Sequence, residues 1–446
     1  MPKPHHRHAE RPAAARLKSS QQPSPGLIEQ RDLTLPDRGL PAARLRTHTF
    51  HPLIYQRMLE SVDRSALPGD VVEVIDRRGE RFGFGLFNPR SEISVRMLRY
   101  GTVPPDEEFW QERLAQAVAL RTDLLQLDSV TNAYRLVHAE SDGLSGLVVD
   151  RYGDLLSAEV FSLGMFQRSG EIMRRLAELT GAQQTLVRVD SQIHGQEGFL
   201  ADAIASEGFP EQTTITEHGT RFRVVFADGH KTGFFCDQRD NRKLLASYCR
   251  DRTVLDLCCY SGGFSVQAKR LGEAREVTGV DLDESALALA RSNAALNQVR
   301  VNFVQSDAFG YMRDMLQNGR QYDVVVLDPP KLIRSRRELE EGTKKHFDLN
   351  RLAMRLVRPG GMLLTCSCSG LLSEEEFLRL IFAAGRQAGG PQPLDVSASP
   401  DSHQRPFQSS SRTVQLLAKT GASPDHPIAA NCPETEYLRA MWLRIE

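Results

Sequence analysis

Val254-Leu255-Asp256-Leu257-Cys258-Cys259-Tyr260-Ser261-Gly262-Gly263-Phe264-Ser265 is a short apolar run that breaks into two adjacent glycines. It reads as a strand, a tight turn and a helix start. Gly262 and Gly263 lack a Cβ, so both are expected to reach positive φ and let a ligand lie against backbone N–H groups at a helix N-terminus. That makes a nucleotide-sized cradle. An ordinary βα connection has the same local signature, so the downstream sequence has to decide.

Downstream, Ser265 to Leu271 reads as a helix and Glu276-Val277-Thr278-Gly279-Val280-Asp281 as a second apolar strand ending on an acid. About 25 residues separate Asp256 from Asp281, close to the spacing of a Rossmann-type unit whose second-strand acid holds ribose hydroxyls. Asp281 is therefore expected to be a ribose ligand. Glu284 to Asn297 has helical apolar spacing, and Val301 to Ala308 is a third strand that places Asp307 to accept from an adenine amine. Tyr322 to Leu327, closed by Asp328-Pro329-Pro330-Lys331, is the fourth; Gly361 to Gly370, with Cys366-Ser367-Cys368-Ser369, is the fifth. In a doubly wound sheet these ends share the edge where ligands bind, so Asp256, Asp281, Asp307, Asp328 and Cys368 are expected to converge.

The 446 residues are 40% hydrophobic and 25% charged, enough for several domains. No apolar run approaches the roughly 20 residues that cross a bilayer, and the N-terminus has no apolar signal core, so a cytoplasmic protein without a membrane partner is expected. Seven cysteines, an odd number without CxxC spacing, argue against a disulfide framework or a zinc site, and no metal is expected. A net charge of −1 excludes a uniformly basic coat, so RNA would be met by local patches.

Residues 1–41 read as a disordered basic tail and linker. In 42–104, strand-like runs at Asp70–Asp76, Arg81–Phe87 and Ser94–Leu98 alternate with Arg77, Arg78, Arg81, Arg90, Arg96 and Arg99, which suggests a half-open β-barrel with a basic outer face. Residues 105–212 read as α+β, with a helix over Phe109–Leu125 and a hairpin turning at Tyr152-Gly153-Asp154. His138, Glu140 and Asp142 stand two apart, which favours a polar face and turn chemistry over a metal or acid/base cluster. Residues 213–446 open with a hairpin around His218-Gly219. The polar run Asp228 to Arg242 follows; its Gln238 and Arg239 are candidate ligand contacts just ahead of a helix from Asn241.

From about Thr214 onward the chain resembles a class I S-adenosylmethionine (SAM)-dependent methyltransferase, and with its upstream units it is similar to the RlmI-type large-subunit rRNA cytosine-5 methyltransferases. His51-Pro52 and the basic β unit look like that family's N-terminal PUA domain, and His138–Gly143 with Val149–Gly153 look like its central domain. Lys231-Thr232-Gly233-Phe234-Phe235 and Asp237-Gln238-Arg239-Asp240-Asn241-Arg242 are similar to its signature ahead of the cofactor turn. Tyr260-Ser261-Gly262-Gly263-Phe264 matches as well, with Tyr260 where many methyltransferases carry a glycine. Cys432 departs from the pattern, standing where relatives often have an aromatic after Asp425-His426-Pro427.

The resemblance implies a Rossmann-like class I methyltransferase domain, preceded by a small PUA-like β-barrel and a central α+β domain. It implies SAM held by Gln238, Arg239, Asp256, Tyr260, Gly262, Gly263, Phe264, Asp281, Asp307 and Asp328. It implies large-subunit (23S) rRNA as partner, admits a homodimer, and gives 5-methylcytosine as product. C5 of cytosine is a poor nucleophile, so a thiolate first adds to C6 and C5 then attacks the methyl group; a base removes the C5 proton and the thiol leaves. Cys366 and Cys368 share strand parity, and Cys368, nearer the carboxyl end, is the expected nucleophile. Asp328 would bond the cytosine edge near N3, with Lys331 available to the base or a phosphate, although Asp-Pro-Pro also reads as a rigid turn. Arg334, Arg336, Arg337, Lys344, Lys345 and His346 read as an RNA clamp or as a solvated mixed-charge helix. The target base must be flipped out or single-stranded. The rivals are an RNA guanine or adenine N-methyltransferase, which needs no thiol, and a non-catalytic RNA-binding ribosome assembly factor.

Overall fold

Strand β1 (Ala42–Leu45) opens a six-stranded sheet with β2 (Leu53–Ile54), β3 (Leu59–Val62), β4 (Val71–Ile75), β5 (Arg81–Phe87) and β6 (Val95–Tyr100), in the order β2-β6-β5-β4-β1-β3. The structure is a computed structural model that describes residues 28–226, 233–389 and 412–446; the expected basic tail up to residue 27 and the run Asp228–Thr232 lie outside the described residues. Residues 28–41 correct the expected linker: Leu33 is 2% exposed in the core of the next unit, and Arg31 and Arg38 both reach the Asp70 carboxylate, at 2.9 and 2.7 Å. Ile28, Leu35 and Leu40 pack on the same core, so this stretch carries enough apolar surface to fold. Arg96 is a second correction. It is 8% exposed and turned inward onto Glu197 at 3.2 Å, away from the basic outer face.

The central unit starts at α1 (Glu107–Ala119), where the Asp106 carboxylate accepts from Phe109 N–H as a cap, and the helix ends in a wider turn over Leu120–Leu124. Its sheet runs β11-β10-β9-β8-β7, from β7 (Ala133–His138), β8 (Leu147–Tyr152), β9 (Leu155–Val160), β10 (Gln184–Arg188) and β11 (Ile204–Ala205). Helices α2 (Leu163–Phe166), α3 (Ser169–Thr180) and α4 (Ser191–Glu197) complete it. The hairpin β12 (Gln212–Glu217) and β13 (Thr220–Val225) then bridges outward: Ile215, Phe222 and Val224 share one core with Tyr152 and Leu186 behind and with Val266 and Ala294 ahead. Apolar cores therefore cross all three expected boundaries.

The last unit is a seven-stranded sheet, β16-β15-β14-β17-β18-β20-β19, built from β14 (Thr253–Leu257), β15 (Glu276–Asp281), β16 (Asn302–Gln305), β17 (Tyr322–Leu327), β18 (Val357–Ser367), β19 (Val414–Thr420) and β20 (Arg439–Ile445). The first five run parallel and β20 is antiparallel to both neighbours. The parallel strands β14 and β17 are covered on both faces, which is why they read as continuous apolar runs. Helices α5 (Arg239–Ala246), α6 (Gly263–Arg270), α7 (Glu284–Leu296), α8 (Ala308–Gln317), α9 (Leu339–Leu356) and α10 (Glu374–Arg386) pack around it. Polar residues set their starts: Asp283 caps α7, Asp307 caps α8, and a Ser373–Glu376 capping box opens α10. This is a doubly wound α/β fold with its switch point between β14 and β15 on one side and β17 on the other. No described helix is long and apolar enough to cross a membrane.

Register fixes the working edge. Leu257 is level with Val280 on β15 and with Leu327 on β17, and Leu327 is level with Thr365 on β18. One step further along each strand, Cys258 stands between Asp281 and Asp328, and Asp328 stands beside Cys366.

Candidate active site

The loop after β14 is built from left-handed backbone at alternate positions: Cys258 (φ 62°), Tyr260 (φ 47°) and Gly262 (φ 77°). Gly263 does not take a positive φ; it begins α6, so the expected pair of left-handed glycines is corrected to this alternating trio. Non-glycine residues in that region cost about 1–2 kcal/mol each, and hydrogen bonds hold them there. Cys259 N–H donates to Val280 O at 3.0 Å, Tyr260 N–H to Asp281 Oδ2 at 2.8 Å, and Gly262 N–H to Cys259 O at 2.8 Å. Gly262 also sits in tight space, since a Cβ there would lie 3.1 Å from the Ala290 Cβ and 3.2 Å from the Phe303 ring, which would have to give way. Cys258 was missed in the sequence; its two-residue step from Tyr260 and Gly262 was the available signal. Phe235, at the end of the stretch similar to the family signature, meets the Tyr260 ring edge-on at 5.3 Å between centroids.

Four acids surround this loop. Asp256 is 1% exposed: one oxygen accepts from the Ser265 N–H and hydroxyl at 2.9 and 2.6 Å, and Oδ1 has no hydrogen-bond partner among the described residues. Burial raises its pKa to about 7, against the Ser265 hydrogen bonds and with help from Asp328 and Asp281. The Cys258 thiol is pushed up by burial and then by Asp281, Asp328, Asp256 and Asp307, so it stays protonated. Asp281 also accepts from Asp283 N–H at 3.0 Å, and Asp307, exposed, spends one oxygen on Gly310 N–H at 2.8 Å. Both acids keep lone pairs for hydroxyl or amine donors. A negative cradle with carboxylates at three strand ends fits a ligand that carries hydroxyls, an amino group and a positive charge. Phe264 is 6% exposed and packs beneath the loop with α6.

At the neighbouring strand ends, Gln238 Nε2 bonds Asp328 Oδ2 at 3.0 Å and approaches Cys366 Sγ at 3.6 Å, while Asn241 fixes the Gln238 oxygen at 2.6 Å. Cys366 is fully buried and burial pushes its thiol far up. Cys368 lies just past the end of β18 and is half-buried. His346, expected in an exposed basic loop, is instead 1% exposed on α9, with Nε2 3.3 Å from the Ser367 hydroxyl. Burial lowers its pKa to about 4, so it is neutral and no part of a clamp.

A cavity of about 420 Å³ opens between the central unit and this edge, with Arg135, His138, Phe234, Phe235, Lys331 and Tyr437 in its wall. Lys331 thus faces the cavity, whereas Asp328 and Cys368 lie at the strand ends beside it. Tyr437 donates to Asp237 at 2.7 Å, and Arg135 bonds Asp150 at 3.2 Å. Burial, then Arg135 and His426, hold His138 down at about 2, so its imidazole is neutral. Its neighbours in sequence are structural: Asp142 clamps the buried Arg121 at 2.7 and 2.9 Å, and Glu140 accepts from Ser145. Arg239 is the last correction. Its guanidinium is 1% exposed and both terminal nitrogens are spent on Asp425, at 2.8 and 3.1 Å, so it has no surface to offer a ligand.

Residues 171–384 match the S-adenosylmethionine-dependent methyltransferase family model, and residues 41–100 match a PUA-like domain. The ribosomal RNA large subunit methyltransferase I of Tolumonas auensis is 36% identical over 401 residues, covering 88% of this chain and 95% of its own. That of Aeromonas hydrophila is 35% identical over 401 residues, with coverages of 88% and 95%. Among solved structures, SMU.776 in complex with SAH superposes with a TM-score of 0.71 at 20% identity, covering 89% of this chain and 96% of that one. A Streptococcus mutans chain described as a SAM-dependent methyltransferase gives 0.71 at 19% identity, with coverages of 90% and 99%. The chain's methyl donor is therefore SAM, whose hydroxyls, amino group and sulfonium charge fit the groups that the cradle offers. The chain belongs to the ribosomal RNA large subunit methyltransferase I family, a SAM-dependent methyltransferase with a PUA-like domain at its N-terminal side.

Proposed function

We propose that this enzyme forms 5-methylcytosine in large-subunit rRNA through a covalent adduct between Cys368 and C6 of the base. The names of its curated relatives support the RNA. One observation carries the chemistry: two cysteines share the end of β18, one sealed and held by Gln238, the other half-buried one residue past the strand's carboxyl end. An N-methyltransferase has no use for that second thiol.

SAM, when bound, would supply an electrophilic methyl group on its sulfonium sulfur, with the neutral thioether as leaving group when that C–S bond breaks. The Cys368 thiolate adds to C6, and the electron pair released at C5 takes the methyl. Asp328, oriented by Gln238, keeps a proton at the N3–N4 edge of the ring while charge develops there. Loss of the C5 proton to a base and expulsion of the thiolate return an aromatic ring. Lys331, on the exposed rim of the cavity, meets the phosphate of the flipped nucleotide. Asp281 and Asp307 would hold the ribose hydroxyls and the adenine amine, with the backbone of Tyr260 to Gly263 available to the rest of the donor.

Cys368→Ala and Cys366→Ala enzymes, assayed on deproteinised large-subunit rRNA with nucleoside mass spectrometry, test the reading. Cys368→Ala should form no 5-methylcytosine while binding SAM normally, and Cys366→Ala should still form it. Methyl transfer that survives Cys368→Ala, or a product methylated on a guanine or adenine nitrogen, sinks the proposal. SAM binding without any transfer by the unaltered enzyme would favour an assembly factor.

A further inference from the structure

The β1–β2 connection and the far ends of β5 and β6 bring four aromatic rings together on the surface of the PUA-like domain. His48 and Phe50 lie 4.8 Å apart, His48 and Phe82 5.1 Å, Phe50 and Phe82 5.4 Å, and Phe82 and Tyr100 5.5 Å. Three of the four are exposed, Phe50 to 63%. A ring kept for packing would be covered, since only the buried part of an aromatic stabilises the fold. The surround is basic: Arg46, Arg77, Arg78 and Arg81 are all exposed, and residues 42–104 hold ten arginines against seven carboxylates in a chain whose net charge is −1.

The cluster also adjoins the catalytic unit. Asn431 Nδ2 donates to Phe50 O at 3.1 Å and to the Tyr100 hydroxyl at 3.4 Å, and His51 Nε2 lies 3.0 Å from Glu434 Oε2. His51, Cys432 and Glu434 place their ligand atoms within 4.8 Å of one another, as a metal site would. However, His51 Nδ1 accepts from Leu53 N–H at 3.1 Å, which leaves the ring proton on Nε2, shared with Glu434. The trio is thus a latch between domains. His426 in the cavity wall is five residues from Asn431, so the backbones of the residue that lines the cavity and the residue that contacts the cluster lie at most roughly 18 Å apart.

We propose that His48, Phe50, Phe82 and Tyr100 form a stacking platform for unpaired nucleobases of the RNA substrate, next to the nucleotide that enters the cavity. Exposed π faces on a unit with an excess of arginines match the two features a single strand presents, bases freed from pairing and a phosphate chain. This rests on the RNA methyltransferase reading above and adds where the flanking strand is held.

The test uses the full chain with Phe50→Ala, Phe50→Leu and Phe50→Trp. Each is titrated with a labelled single-stranded oligoribonucleotide of about twelve residues, with a hairpin duplex of the same composition, and with SAM, and assayed on deproteinised large-subunit rRNA. Phe50→Ala and Phe50→Leu should bind the single strand roughly 5- to 150-fold more weakly. KM for rRNA should rise in proportion at unchanged kcat, with duplex and SAM binding unmoved and Phe50→Trp at the unaltered level. Equal single-strand binding by Phe50→Ala, equal losses for single strand and duplex, or full recovery by Phe50→Leu would each overturn the platform. If the unaltered enzyme methylates no rRNA, the functional reading fails, and the oligonucleotide titrations still decide the platform.

Discussion

Asp425→Asn is expected to be among the most destabilising single changes in the chain. The side chain is fully buried, and its oxygens take both ends of the Arg239 fork, at 2.8 and 3.1 Å, together with Arg135 N–H at 2.9 Å. Its backbone carbonyl accepts from Arg121 at 2.7 Å. One residue therefore joins α5 to the central sheet and to the end of α1. Asparagine keeps the shape and one acceptor but leaves a guanidinium that is 1% exposed without a counter-charge. Breaking one side of such a pair costs about 3–5 kcal/mol, a large part of a typical stability of about 5–15 kcal/mol. The pH dependence has a definite sign. Burial raises the Asp425 pKa, but His426 and Arg239 outweigh it and hold the folded carboxyl well below the usual range. Its contribution is thus complete above the unfolded value of about 4 and declines only as pH falls below that. The two tryptophans, Trp110 in the central core and Trp442 on β20, are both 1% exposed and report urea unfolding of the two units separately in single-tryptophan backgrounds. Asp425→Asn should lower both midpoints at neutral pH. Arg239→Met combined with Asp425→Leu should recover part of the loss, since an apolar pair replaces a buried ion pair at little cost. A loss below about 1 kcal/mol, or no recovery in the double variant, would refute the view that this pair is the joint between units.

Two further changes test the cradle and the N-terminal strap. Asp256, raised to about 7 mainly by burial, takes up a proton that the unfolded chain has released, so stability should fall as pH rises from about 4 to about 7 and level off above. The slope amounts to roughly 4 kcal/mol; Asp256→Asn should abolish it in urea titrations across pH, and should also remove the tightening of SAM binding through pH 7 that a cation gains from the ionised carboxylate. Leu33→Ala should cost about 2–5 kcal/mol, read by Trp110 fluorescence, because it empties a site that is 2% exposed in the central core.

The parallel sheet was legible because buried parallel strands read as unbroken apolar runs, and because each run ends on a residue that is costly to bury. Asp281, Asp307 and Asp328 could be placed on one edge from that alone, and the strand register supplies the physical reason. The loop conformation was not legible. A glycine permits positive φ without demanding it, and here Val280 O and the Asp281 carboxylate bend the chain through Cys258 and Tyr260 while Gly263 joins a helix. Arg239 failed for another reason. In a polar run beside a ligand loop, an arginine can face the ligand or a partner, and its partner stands 186 residues away. Nothing local announces such a pair. The aromatic cluster was hidden in the same manner, its rings scattered from residue 48 to residue 100.

These long-range pairs also bear on how the central unit is joined to the methyltransferase unit. Arg135 and His138 stand on β7, yet they wall the same cavity as Lys331 and Tyr437 from the methyltransferase sheet. A cavity shared by two units keeps its shape only while the units are held in register. Asp425 supplies that constraint through Arg135 N–H on one side and Arg239 on the other, and Arg121, donating to the Asp425 carbonyl, adds a second tie from the central unit. Arg239 therefore earns its place ahead of the cofactor loop by positioning rather than by contact: it anchors the start of α5, one residue after Gln238, whose amide orients Asp328. The same buried charges that hold the fold together thus set the geometry of the strand-end corner where Asp328 and Cys368 are proposed to meet the base.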